Sequence, residues 1–295
     1  MIRGGVIPKG GGPLRSIHGK ATTGEQIEDV ILRHSDRGMP DLRPYLSDRC
    51  CHLAAAEILS WEPGYVFLVT GFYVNGFAET DGPVGTVALA RAIRNLGYKP
   101  VILSDRYCEG YFEFEDLEAV YLDSAGQMKE LLEEYQPRGL ISIERCGRNR
   151  EGVYTNMRGV DISAHTAPWD ELFVACQGSI PTIGVGDGGN EIGMGKVCGP
   201  IRRKLSVEPC VISTDILVIA SVSNWGAYGI IAALGEMTGE TLVPDIQWVE
   251  NYLKVTINIG SVDGVTQEHV LSVDGKNMRT EAEILGALKR LEQAV

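Results

Sequence analysis

The sequence has no C-x-x-C pair, no unbroken apolar run of membrane length and no excess of basic residues, and each shortage argues against a class of function. Cys50, Cys51, Cys108, Cys146, Cys176, Cys198 and Cys210 are odd in number and lack zinc-ribbon spacing. That argues against a disulfide framework or a structural zinc and leaves small buried hydrophobes, with Cys146 set apart by its polar neighbours. The longest apolar runs, Gly64 to Gly71 and Ile212 to Val222, are about ten residues long or broken by polar residues, short of the ~20 that a spanning helix needs. MIRGGVIPKGGGPLRS at the N-terminus has no apolar core of the signal-peptide kind, so the expectation is a cytoplasmic protein.

Basic charge is scarce: 27 Lys and Arg stand against 39 Asp and Glu, for a net charge of -12 and a pI near 5.0. The mean field repels polyanions, which argues against nucleic acid and anionic membrane as partners. Two nucleotide signatures fail on their residues. Around GPLRSIHGKA, Gly12 and Gly19 have six intervening residues instead of four, and Ala21 stands where a phosphate loop needs Ser or Thr. Gly184, Gly186 and Gly189 match G-x-G-x-x-G formally, but Asp187, Asn190 and Glu191 put negative charge where a pyrophosphate would sit. No G-x-S-x-G elbow is present, which argues against an α/β-hydrolase triad.

What remains is an ordinary globular composition, 295 residues with 44% hydrophobic and 22% charged. Residues 1–24, rich in glycine, read as loop. Beyond them, strand-length apolar runs at 65–70, 99–104, 139–144, 181–186 and 215–220 alternate with amphipathic stretches at 47–60, 83–96, 124–135, 168–178, 224–238 and 280–293. The stretch 244–275 suits either helix or strand. Such alternation predicts one α/β domain over 1–295, a mainly parallel sheet with helices on both faces in three α/β/α layers. Helix 224–238 is apolar almost all round, which fits a monomer or a homo-oligomer alike.

In open α/β sheets, ligands bind beyond the carboxyl ends of the strands, and the polar motifs here follow strands. After 65–70 come Glu79, Thr80 and Asp81, just before a helix whose first turn suits Pro83. They read either as a helix cap or as a site for a cation or amine. After 139–144 comes a dense polar segment from Glu144, with Arg145, Arg148, Arg150 and Arg158 as forked donors for carboxylates and Asn149, Thr155 and Asn156 as neutral ones. Asp161 and His165, four apart, share a face if they form one helical turn, as an oriented histidine or a metal pair. After 181–186, Asp187, Asn190 and Glu191 face a ligand or metal, with Asp187 and Glu191 the ligands of a divalent ion, magnesium or manganese, that Glu79 or Asp81 could share. After 215–220, Ser223 or Asn224 caps the following helix and reaches the same crevice.

Taken together, TGFYV with AETDGPVGTVALARAI (70–93), SIERCGRNREGVYTNMRGVDISAHTAPWDELF (142–173), TIGVGDGGNEIGMGKV (182–197) and ASVSNWGAYGI (220–230) resemble the D-glutamate cyclase-like domain family. The resemblance covers most of the chain and leaves no stretch for the N-terminal region, similar to hydro-lyases, that the animal enzyme also carries. It implies a lyase that converts D-glutamate to 5-oxo-D-proline and water, acting on a small acidic amino acid. Under that implication Arg145, Arg148 or Arg150 holds the substrate carboxylates, and Glu79 or Asp81 takes the ammonium, one of them as base. Glu144, Asp187, Glu191 or His165 is the acid, with Thr80, Asn149, Asn156, Arg158, Asp161, Asn190 and Asn224 as further contacts. On this scheme Arg148→Ala raises the apparent substrate constant sharply. The rival readings are a metal-dependent lyase or hydrolase for another small acid, and a non-catalytic module that binds one.

Overall fold

The computed structural model describes residues 22–122 and 125–294. In chain order the elements are α1 (Thr23–Ile31), α2 (Cys50–Ser60), β1 (Tyr65–Val69), β2 (Tyr73–Val74), β3 (Phe77–Ala78), α3 (Pro83–Asn95), β4 (Lys99–Ser104), β5 (Glu118–Tyr121), α4 (Met128–Tyr135), β6 (Gly139–Ile143), α5 (Asp170–Cys176), β7 (Thr182–Gly186), α6 (Cys198–Lys204), β8 (Ile216–Ile219), α7 (Ser223–Thr238), α8 (Ile246–Ile259), β9 (Ser272–Val273), β10 (Lys276–Asn277) and α9 (Met278–Glu292). Six strands form one sheet in the order β5-β4-β1-β6-β7-β8, every neighbouring pair parallel. β2–β3 and β9–β10 are small antiparallel hairpins.

The strands are what a covered parallel sheet requires: YVFLV, KPVILS, GLISI and TIGVG are almost wholly buried, with no polar alternation. Counted along the chain, the six sheet strands run 3-2-1-4-5-6, a doubly wound order whose direction reverses between β1 and β6. Right-handed crossovers in that order put α3 on one face and α4, α5 and α6 on the other, giving the expected three layers. Tyr135 of α4 lies edge-on to Phe67 of β1 at 5.5 Å between ring centroids. α7 packs against α2, α3 and α9 and is buried from Ser223 to Gly235, so its apolar surface is covered within the chain itself.

Most boundaries fall within two or three residues of the sequence reading. α1, the β2–β3 hairpin, β5 and α6 are additions to it. β5 is a four-residue, half-exposed edge strand, and α6 carries Gly199 and Pro200 in its first turn, so neither shows a clear period. The ambiguous 244–275 resolves into α8, an irregular loop and the start of the β9–β10 hairpin. The glycine-rich loop read at 1–24 lies outside the described residues as far as residue 21; Thr23 and Gly24 belong to α1, which Thr22 and Glu25 close with a capping box. All seven cysteines are free, six buried and Cys198 half-buried. Cys146 is no exception: it packs with Phe72, Tyr154 and Ile162, and burial pushes its thiol well up. Among the described residues no helix is long and apolar enough to cross a membrane.

Candidate active site

At the reversal between β1 and β6, the loops leaving the two strands diverge and open a crevice. β1 delivers Glu79 and Asp81 on its way into α3; β6 ends directly at Glu144; β7 delivers Asp187, Asn190 and Glu191; β8 leads to Ser223 and Asn224. Glu144 sits at φ +46°, a left-handed conformation that a glutamate adopts only where its surroundings enforce it.

Two helices start here, and each is capped by the other's loop. Asp81 accepts from the backbone N–H groups of Ser223 (2.9 Å) and Asn224 (2.8 Å) at the start of α7, and Asn224 Oδ1 accepts from those of Gly82 (2.9 Å) and Gly85 (2.8 Å) at the start of α3. This corrects the sequence reading, in which Thr80 or Asp81 caps its own helix and Ser223 or Asn224 caps its own. Thr80 Oγ1 instead donates to the carbonyl of Ser272 at 2.9 Å, and Ser223 Oγ to Glu144 Oε2 at 2.5 Å. Gly82 turns at φ +95° where a Cβ would lie 2.8 Å from Thr70 Oγ1, so the tight join between strand and helix requires glycine.

Glu79, Asp81, Glu144, Asp187, Glu191 and Asp274 are all buried in this crevice. Arg37 enters from the segment after α1: Nη1 lies 2.5 Å from Asp187 Oδ1 and 2.7 Å from Asp274 Oδ2, and Nη2 lies 2.9 Å from Asp274 Oδ1. Glu191 folds onto its own turn and accepts from the N–H groups of Gly188 (2.8 Å) and Gly189 (2.7 Å). Burial, reinforced by the surrounding carboxylates, holds Glu79, Glu144 and Asp187 well above the ordinary carboxylate range, while Arg37 pulls the other way. Burial and Asp274 push Asp81 up to about 8 against the pull of the Asn224 and Ser223 N–H groups. Burial also raises Glu191, opposed by its turn amides.

Above this floor lies a cavity of about 280 Å³. Of the residues singled out in the sequence, Glu79, Glu144, Asn156, Arg158, Asp161 and His165 line it. Asp81, Asp187 and Glu191 lie beneath, and Asn190 ties the β7 turn to the carbonyl of Thr155 at 2.7 Å. His165 stacks on Tyr73 with ring centroids 4.2 Å apart, and its Nδ1 meets the Tyr107 hydroxyl at 2.6 Å. The helical turn expected to pair it with Asp161 is a short 3-10 turn, Ser163–His165, and Asp161 Oδ1 accepts from the N–H of Ser163 at 2.8 Å.

Arg145, Arg148 and Arg150, read in the sequence as carboxylate donors, do not line this cavity. Arg145 is fully buried and serves as a strut, donating to the carbonyls of Gly71 and Ala167 and to Asp105 at 2.7 Å. Arg148 pairs with buried Asp170 at 3.3 Å, Arg150 lies on the surface beside Glu208, and Asn149 closes its own turn onto Glu151 and Val153. Arg37 and Arg158 are the arginines in the cavity wall.

Arg37, Asp263 and Asp274 escaped the sequence reading. Arg37 follows α1 in an aperiodic stretch and carries no local signal. The two aspartates do carry one: S-V-D-G occurs at 261–264 and again at 272–275, and D-G marks turns. Asp263 knots this loop, accepting from Val265, Thr266, Gly275 and the Ser272 hydroxyl. Asp274 receives Arg37 in a two-pronged pair.

Fold and site together define a doubly wound α/β protein with a buried acidic crevice at its topological switch point. The family described as D-glutamate cyclase-like, C-terminal, matches residues 27–289, and the chain belongs to it. It is 37% identical over 182 residues to the human protein "D-glutamate cyclase, mitochondrial". That stretch is 53% of this chain and 29% of the human protein, so less than a third of that relative's length is matched.

Proposed function

We propose that this crevice catalyses the cyclising dehydration of D-glutamate to 5-oxo-D-proline. One observation carries the reading: in a chain of this family, buried Glu79 and Glu144 line one cavity, each held by burial and neighbouring carboxylates above the ordinary carboxylate range.

In the reaction the amine nitrogen attacks the side-chain carboxyl carbon. A C–N bond forms, a C–O bond breaks, and the oxygen leaves as water. The ammonium must first lose a proton, and the departing oxygen must gain one. Glu79, in its ionised form, accepts the first proton, and a second group, Glu144 or His165, returns one to the oxygen. Carboxyl groups that burial and mutual repulsion raise above the ordinary carboxylate range suit that exchange, because such environments weaken the preference for the ionised form. Arg158 in the wall supplies charge for the substrate's carboxylates, while Arg37 is held by Asp187 and Asp274. Fixing the substrate in a curled form, nitrogen against the distal carbon, lowers the barrier by orientation. Asp187 and Glu191 are the residues that would hold a divalent ion, magnesium or manganese; when bound, it supplies a Lewis acid for the distal carboxylate.

The test is turnover of D-glutamate followed by chiral chromatography in wild type, Glu79→Gln and Arg150→Ala. The reading expects Glu79→Gln to lose roughly 10²–10⁴-fold in rate and the surface variant to keep it. Wild-type turnover in Glu79→Gln overturns the scheme.

A further inference from the structure

We propose that Glu144, Asp187 and Glu191 form a site for one hard divalent cation, next to a second carboxylate cage that the protein fills with its own Arg37. The proposal deepens the functional reading above and rests on it for the ion's part in the reaction; cation binding itself stands apart from turnover.

Two triads share Asp187. In Asp81–Asp187–Asp274 and in Glu144–Asp187–Glu191, one oxygen from each residue lies within 4.8 Å of the other two. The first triad is answered. Arg37 bridges Asp187 and Asp274 through both terminal nitrogens, and Asp81 receives the backbone N–H groups at the start of α7. The second is not. Asp187 is wholly buried, and its Oδ2 has no hydrogen-bond partner, although Oδ1 of the same group has Arg37. The neighbouring Asn190 Oδ1, on the same turn, is likewise buried and unpartnered. A carboxylate oxygen in such a place is unfavourable unless a proton or a cation answers it.

The β7 turn packs so closely on Glu191 that it admits no side chain at two positions. A Cβ on Gly188 would lie 2.8 Å from Glu191 Oε1 and 3.1 Å from Asn190 Oδ1, and one on Gly186 would lie 2.8 Å from Glu191 Oε2. Glycine at both positions lets the oxygens converge. Glu191 and Glu144 already receive N–H and O–H donors, from Gly188 and Gly189 and from Ser223, which fix their orientation as the outer partners of metal ligands do.

The donor set selects the ion. All three side chains offer carboxylate oxygen, with neither thiolate nor imidazole among them, so the site suits magnesium, manganese or calcium and is poorly matched to zinc or copper. Three carboxylates leave part of an octahedron open. Because Glu144 also lines the cavity, the site borders the space that an acidic substrate would occupy. With Glu144 ionised and bound to the cation, the role of proton donor to the leaving oxygen passes to His165.

The experiment uses the full chain and Mn²⁺ alone, followed by electron paramagnetic resonance and calorimetry, with circular dichroism as the check on folding. The expected result is one Mn²⁺ per chain, displaced by Mg²⁺, with affinity lowered at least tenfold in Asp187→Asn and in Glu144→Gln. Glu79→Gln, outside both triads, keeps it. The proposal is overturned if folded wild type binds no Mn²⁺ at millimolar concentration, if both triad variants bind like wild type, or if Glu79→Gln alone abolishes binding. Mn²⁺ bound at the triad without turnover of D-glutamate would sink the reaction and leave the site; undiminished turnover in EDTA by ion-free protein would sink the site and leave the reaction.

Discussion

At the scale of residues, the chemistry of a side chain depends on what already occupies it. Arg145, Arg148, Arg150 and Arg158 lie within fourteen residues of one another, and only Arg158 reaches the cavity wall. Arg145 has Asp105 and two carbonyls, and Arg148 has Asp170. The expectation that Arg148→Ala weakens substrate binding therefore shifts to Arg158→Ala. In steady-state assays with D-glutamate, Arg158→Ala should raise KM by about tenfold or more, the loss of one charge-assisted hydrogen bond, with Arg148→Ala leaving KM near wild type. Arg148→Ala should instead lose roughly 1–3 kcal/mol in urea unfolding, because it leaves Asp170, which is wholly buried, with fewer donors. The opposite pattern would return the clamp to Arg148. Nothing local in the sequence separates the two: the partner of each arginine lies on another element.

At the scale of elements, α3 and α7 depend on each other through the crossed caps. Asn224→Ala removes the side-chain acceptor of the Gly85 N–H and leaves the Gly82 N–H with Asp81 Oδ1 alone, and should cost about 1–2 kcal/mol in denaturant unfolding; an unchanged midpoint would show that the caps are replaced by solvent. A second coupling joins α7 to α9. Trp225 Nε1 donates to Glu281 Oε2 at 2.6 Å, yet burial still pushes Glu281 up to about 7. Since the folded value lies above the unfolded one of ~4.3, the folded chain retains a proton that the unfolded chain releases. This contribution to stability is fully present below the unfolded value and is lost as pH rises to about 7. Unfolding at pH 5 and at pH 8 should therefore differ less in Glu281→Gln than in wild type, and an equal difference would place the pH dependence elsewhere. Elements with a full period were legible in the sequence, such as α3 with Pro83 in its first turn and the buried strand GLISI. The cross-caps were not, since Asp81 and Asn224 read equally well as caps of their own helices.

At the scale of the whole molecule, the doubly wound order concentrates acidity at one place. Strand-length apolar runs located the crevice and brought Glu79, Asp81, Glu144, Asp187 and Glu191 into view, because each lies in a segment that leaves a sheet strand. The long-range closure of the site by Arg37 and Asp274, 237 residues apart, had no counterpart in any local pattern. The paired S-V-D-G turns were the one available clue to Asp274. The central claim is that this crevice turns an acidic amino acid upon itself. Its most direct test is a mass balance: purified chain with added Mg²⁺ or Mn²⁺ is incubated separately with D- and L-glutamate, and both glutamate and 5-oxoproline enantiomers are quantified by chiral chromatography. The account predicts that D-glutamate disappears one for one into 5-oxo-D-proline, with L-glutamate left intact. Folded protein that leaves D-glutamate unchanged in the presence of either ion would contradict it.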